Sequence, residues 1–140
     1  MSGDERKPRI LVVEDEAMVG LLIEDMVRDS GGEIVGPVAT FEDALDLARN
    51  AVFDIAVLDL NLNGTLSYPI ADVVRGRRIP IIFSTGYGSE GLREGFRDLP
   101  VLHKPFSQGD FAQAISAACA MSRFAKTQRV FTEVDRTSNG

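Results

Sequence analysis

The run Ile55-Ala56-Val57-Leu58 followed by Asp59 constrains the fold of this chain more than any other stretch. Four apolar residues in succession, with no polar alternation, are what a strand covered on both faces requires, and such strands belong to the parallel sheets of α/β domains. Asp59 then stands where the strand ends and solvent begins. In open α/β sheets ligands bind just outside the carboxyl ends of the strands, which makes this a candidate site position. Aspartate also starts turns for purely local reasons. Taken by itself, Asp59 needs no more than that.

The segments around it repeat the pattern. Ile10-Leu11-Val12-Val13 reads as a buried strand that stops at Glu14-Asp15-Glu16. From Ala17 to about Arg28, Met18, Leu22 and Met26, with Val19, Ile23 and Val27 beside them, recur at helical spacing until Gly31-Gly32. Ile34-Val35, broken by Gly36-Pro37, suits an edge strand. Thr40 with Asp43 three residues on resembles a helix cap, and Phe41, Ala44, Leu45 and Ala48 continue that helix. A polar loop runs through Gly64, and Ser67 with Pro69 opens a third helix carrying Ile70, Val73 and Val74 inward to Gly76. Pro80-Ile81-Ile82-Phe83 is the fourth strand.

Gly86, Gly88, Gly91 and Gly95 follow, so a helix there, packed through Leu92 and Phe96, carries a cost of about 1 kcal/mol for each interior glycine. It is the segment expected to move most. Val101-Leu102 is a last short strand, and Ser107 caps a final helix with Phe111, Ala114, Ile115, Ala118 and Cys119 as its buried stripe. From Phe124 the pattern fades, and 124–140 reads as a C-terminal tail, partly disordered. Strands and helices alternating in this way imply one α/β domain, a parallel sheet with right-handed crossovers and helices on both faces.

Composition narrows the function. At 140 residues there is room for one domain with a real core, and 44% hydrophobic with 26% charged residues is a globular balance. A formal charge of -6 argues against nucleic acid, which requires a cationic surface. No apolar tract approaches membrane-spanning length and Met1 to Arg9 is polar, so the cytoplasm is the expected compartment. A single cysteine, Cys119, and a single histidine, His103, cannot build a disulfide or a zinc site.

Parallel strands point their carboxyl ends to one edge. Glu14 and Asp15, Asp59, Ser84 and Thr85, and Lys104 therefore converge from four strands. Carboxylate oxygens of this kind suit Mg²⁺, which keeps several waters and is commonly held by one or two carboxylates and a phosphate. Each residue has a plainer explanation: acids favoured at a helix N-terminus, a strand threonine, a solvated lysine before a proline. Convergence at one edge is what sets the group apart.

The ordered set Ile10-Leu11-Val12-Val13-Glu14-Asp15, Val57-Leu58-Asp59-Leu60-Asn61, Ser84-Thr85-Gly86 and Lys104-Pro105-Phe106 resembles the receiver domain of two-component response regulators, over about residues 8–123. Phe83-Ser84-Thr85-Gly86-Tyr87 further resembles a Phe-x-Thr-Gly-Tyr subgroup whose members often stand alone without an output domain. The resemblance implies a doubly wound, flavodoxin-like sheet of five parallel strands in the order 2-1-3-4-5. It implies that Asp59 is the phosphoacceptor in a phosphorelay, taking a phosphoryl group from a sensor histidine kinase or histidine phosphotransfer protein. Asp15, Asp59 and the backbone carbonyl of Asn61 would hold Mg²⁺, with Glu14 acting through water, and Thr85 and Lys104 would bind phosphoryl oxygens. The Lys104-Pro105 bond is cis in the family. Such a protein is no enzyme beyond its own phosphoryl transfer and dephosphorylation.

Chemistry supplies reasons for these roles. An aspartate is already an anion at neutral pH and so needs no base to become a nucleophile, and a divalent cation offsets its repulsion of the incoming phosphoryl group. Lysine and threonine then act by charge compensation and positioning.

Movement of Thr85 would pull the glycine-rich segment and alter the surface of the fourth helix, fifth strand and fifth helix, read by a downstream protein. Receivers commonly carry an aromatic switch residue three positions before the lysine. This chain has Val101, so Tyr87 or the Gly86 to Gly95 segment is expected to report instead. Two other functions compete: a receiver-like docking module that is never phosphorylated, and a Mg²⁺-dependent phosphohydrolase. A haloacid-dehalogenase-type hydrolase needs a second aspartate two residues after the nucleophile, where this chain has Asn61, and no cap insertion is visible.

Overall fold

The computed structural model describes residues 7–86 and 92–120. Within them β1 (Arg9–Val13), α1 (Ala17–Asp29), β2 (Glu33–Val38), α2 (Phe41–Asn50) and β3 (Ile55–Asp59) follow in order. A hairpin of β4 (Asn61–Leu62) and β5 (Thr65–Leu66) leads to α3 (Tyr68–Gly76), β6 (Ile81–Thr85) and β7 (Val101–His103). A fourth helix, α4, occupies 108–120. The main sheet has the order β2-β1-β3-β6-β7 with every pairing parallel. Setting the small hairpin aside, this is the expected doubly wound order.

Alternate residues of each strand serve opposite layers. Leu11, Val13, Ala56, Leu58, Ile81 and Phe83 pack with Ala44 and Ala48 of α2 and Ile70 and Val74 of α3. Ile10, Val12, Ile55, Val57, Ile82 and Leu102 pack with Ile23 and Val27 of α1 and Phe111 and Ile115 of α4. An unbroken apolar run is what this requires, since both parities face helices. β3 is buried at all five positions, Asp59 included.

Thr40 and Ser107 cap their helices as expected, whereas Ser67 precedes α3 without a side-chain cap hydrogen bond. Thr40 Oγ1 accepts the Asp43 N–H at 3.1 Å. Ser107 and Asp110 cap each other, with the Asp110 N–H donating to Ser107 Oγ at 3.0 Å and the Ser107 N–H to Asp110 Oδ2 at 3.2 Å. β2 is an edge strand, and the bonds Gly36-Pro37 and Lys104-Pro105 are cis.

Three expectations change. On α1 the buried residues are Gly20, Ile23 and Val27, while Met18 is 74% and Leu22 56% exposed. The 3.6-residue period offers two adjacent stripes, and the helix buries only the one that meets β1 and β2. The polar loop after Asp59 is a hairpin turned by Asn63 (φ 50) and Gly64 (φ 91), the two left-handed residues such a turn demands. Residues 92–99 form successive turns and bends rather than a helix, with Gly95 at φ 97. Leu92 and Phe96 are nonetheless buried as expected, at roughly 1.5–3 kcal/mol apiece, which anchors the segment without helical hydrogen bonds. Phe96 completes an aromatic cluster with Tyr68 and Phe83, at centroid separations of 5.1 and 5.8 Å.

Tyr87 and the tail 124–140 lie outside the described residues, as does the 87–91 portion of the glycine-rich segment. No helix among the described residues is long and apolar enough to cross a membrane.

Candidate functional site

Four strand ends bring the polar residues together. β1 pairs with β3 through Val13 and Leu58, so Glu14 follows on one strand where Asp59 follows on the other. Asp59 pairs with Ser84 on β6, and Thr85 with His103 on β7. Carboxylate oxygens of Glu14, Asp15 and Asp59 all lie within 4.8 Å of one another. Glu14 is 3% and Asp59 5% exposed, and Thr85 is buried too.

Lys104 is the counter-charge. Its Nζ lies 2.9 Å from Glu14 Oε1, 3.1 Å from Asp59 Oδ2 and 3.6 Å from Glu16 Oε1. The Lys104 N–H donates to the Thr85 carbonyl at 2.8 Å, continuing the β6 to β7 pairing to the base of the side chain. The other carboxylate oxygens take backbone donors: Glu14 Oε2 from the Glu16 N–H at 3.0 Å, Asp59 Oδ1 from the Asn61 N–H at 3.2 Å and Asp15 Oδ2 from the Asn63 N–H at 2.9 Å. Asn61 Oδ1 accepts the Gly64 N–H at 2.6 Å, so this side chain is committed to the hairpin turn.

Glu16, through its carboxylate and its N–H, and Asn63, through its N–H, join the site without being singled out by the sequence. Glu16 was visible only as the third acid of a run. Asn63 was legible in principle, because Asn-Gly between two apolar pairs is a strong hairpin signal.

The electrostatics depart from expectation at Asp59. Burial, and then the negative charge of Glu14, push its carboxyl up to about 7, against the pull of Lys104. The carboxyl is therefore only partly ionised at neutral pH unless more positive charge arrives. Asp15 goes the other way: partial burial works to raise it, but hydrogen bonds from Asp59 and the Asn63 N–H hold it below the ordinary carboxylate value. Burial likewise works against the Lys104 ammonium, and Glu14 and Asp59 more than reverse it, keeping its pKa above normal. An anionic cleft of hard oxygen donors, with one member held partly protonated by burial and then by the Glu14 charge, fits a small divalent cation.

Two buried acids with a third beside them at the carboxyl edge of a β2-β1-β3-β6-β7 sheet, and a lysine just past the last strand, are the architecture of a receiver domain. The response regulator receiver domain profile matches residues 10–116, and the chain belongs to that family. Domains of this family are signalling units, generally not enzymes, which bind Mg²⁺ at an acidic pocket and work with histidine kinases and downstream effectors.

Among relatives, the transcriptional regulatory protein PdtaR of Mycobacterium tuberculosis is 32% identical over 130 residues, covering 90% of this chain and 62% of PdtaR. The chain thus spans less than two thirds of that relative. Among solved structures, SdrG from Sphingomonas melonis Fr1 is 37% identical with a TM-score of 0.74, covering 85% of this chain and 99% of the SdrG chain. The receiver domain of PhyR from Erythrobacter litoralis is 29% identical with a TM-score of 0.73, covering 84% of this chain and 93% of that one.

Proposed function

We propose that Asp59 accepts a phosphoryl group from a phosphohistidine on a sensor kinase or phosphotransfer protein, and that the domain signals through the resulting change of surface. The observation that carries this is the Lys104 ammonium held between Glu14 and Asp59 beside a third carboxylate. No structural need is met by burying Glu14 and Asp59 against a half-buried lysine, since an apolar cluster of the same volume is commonly as stable or more so.

Asp15, Asp59 and the Asn61 carbonyl would hold Mg²⁺, with Glu14 acting through water because Lys104 and the Glu16 N–H occupy its oxygens. A divalent cation bound there would supply charge compensation for the phosphoryl oxygens and favour the ionised Asp59 carboxylate. An Asp59 oxygen attacks phosphorus, the O–P bond forms as the N–P bond breaks, and the electron pair returns to the imidazole, which takes a proton from solvent. Lys104 follows the charge onto a phosphoryl oxygen, and the Thr85 hydroxyl donates to another.

The donor protein has to present its histidine to Asp59. An apolar groove between α1 and the Pro105-Phe106 turn, bordered by Val19, Leu22 and Met26, reaches Lys104. With Met18 and Leu21 also exposed, this is where a helix of the donor would lie. On the far side, Thr85 leads into the glycine-rich segment, and the surface formed by residues 92–99, β7 and α4 is the proposed output. Tyr87 remains the proposed reporter in place of an aromatic at Val101.

Intact mass measurement after incubation with Mg²⁺ and a small phosphodonor tests the reading. A phosphoryl adduct on the wild type and none on Asp59→Asn is expected. An adduct-free wild type would favour the docking module, and sustained turnover of phosphate esters the hydrolase.

A further inference from the structure

Ser84 is 1% exposed and its Oγ is buried without a hydrogen-bond partner. A lost hydrogen bond in the interior costs stability, and alanine fills the same space without that cost. The position of the hydroxyl is informative. Ser84 pairs in register with Asp59 on one side and with Leu102 on the other. Val57 and Ile82, the pair two residues earlier, both belong to the α1/α4 layer, as does Leu102. By the two-residue period Asp59 and Ser84 project from that same face. Lys104, two residues past Leu102, has to cross β6 to bring its Nζ within 3.1 Å of Asp59 Oδ2. Ser84 thus lies in the row between the nucleophile and the base of the lysine.

Both Asp59 oxygens already have donors, the Asn61 N–H at Oδ1 and Lys104 at Oδ2. That accounts for the idle hydroxyl. On the reading of Asp59 as phosphoacceptor, on which this inference rests, Lys104 is drawn to the phosphoryl group and an Asp59 oxygen loses its donor. We propose that the Ser84 hydroxyl then donates to that oxygen and makes Ser84 a determinant of how fast the phosphoryl group is lost. In hydrolysis the water oxygen forms a bond to phosphorus, its proton passes to solvent, and the Asp59 O–P bond breaks with its electron pair returning to the carboxylate. A donor at the acyl group strengthens as that negative charge returns, so it favours the transition state over the adduct.

The test is Ser84→Ala, with Ser84→Thr as the variant that keeps a hydroxyl, each phosphorylated by a small phosphodonor with Mg²⁺. Ser84→Ala is expected to lose its adduct about three- to tenfold more slowly, the worth of one hydrogen bond. The infrared carbonyl band of its acyl phosphate should move to higher frequency, a signature that repacking alone does not produce. Its resting melting temperature should be equal or higher, and Ser84→Thr should restore the faster loss. An adduct lost at the wild-type rate or faster, with an unmoved carbonyl band, overturns the role of Ser84. A wild type that forms no adduct overturns the phosphoacceptor reading, and this inference with it.

Discussion

Lys104 Nζ sits 2.9 Å from Glu14 Oε1, and Glu14 is the more deeply buried partner, with 3% of its surface exposed. The lysine is what permits an acid at that depth. Replacing it by methionine keeps the stem and strands the Glu14 and Asp59 carboxyls together. Lys104→Met should destabilise the domain by on the order of 3 kcal/mol near neutral pH in urea unfolding, as breaking a buried pair does. The ammonium's pKa is raised above 10.5, so its stabilising contribution is intact below that value and disappears as pH rises through the still higher folded-state pKa.

Asp59 carries the opposite linkage. Its carboxyl is raised from 3.8 to about 7 in the folded protein, so between those values the native state binds more protons than the unfolded chain. The stability this contributes is fully present below 3.8 and lost as pH rises through 7. Asp59→Asn, which stays neutral, should therefore be more stable than the wild type by on the order of 1–2 kcal/mol at mildly alkaline pH, allowing for solvent at the cleft mouth. The gain should shrink toward pH 5. Parallel melting curves across that range check the slope.

A divalent cation should reverse that penalty. At about a hundredfold excess of free Mg²⁺ over its dissociation constant, stabilisation of roughly 2.7 kcal/mol is expected, read as a rise in melting temperature. The rise should be larger above pH 7 than below it, because the cation and the Asp59 proton compete. Asp15→Asn should abolish most of it while leaving the metal-free protein folded.

Tyr68 tests the turn segment. Its hydroxyl accepts the Arg93 N–H at 2.6 Å, and the Arg93 guanidinium lies 4.3 Å from its ring centroid. Tyr68→Phe keeps the ring and removes the acceptor. It should cost about 1 kcal/mol overall. Amide exchange at residues 92–99 should accelerate more than in β3, showing that this bond tethers the segment following the glycines.

The parallel sheet and the meeting of polar residues at its carboxyl edge were legible because unbroken apolar runs ending in polar residues leave few alternatives, and the strand order was implied by the receiver resemblance. What escaped had a physical cause in each case. Met18 and Leu22 obey the same period as Ile23 and Val27, and nothing local tells a helix which of two apolar stripes to bury. The 92–99 turns keep the apolar spacing of a helix through Leu92 and Phe96, so the pattern could not reveal that Gly95 breaks it. The raised Asp59 carboxyl depends on the depth of Glu14, a quantity created only by assembly. Asn63 reaches Asp15 from 48 positions away along the chain.

Strand parity also makes the centre of the sheet intolerant of changes in length. One residue inserted into Ile55–Leu58 would rotate every later side chain of β3 by half a turn. Asp59 would then face the α2 and α3 helices, with the full thickness of the sheet between it and Lys104. Substitution can weaken this domain by degrees, whereas a single-codon insertion in β3 would disconnect its chemistry at a stroke.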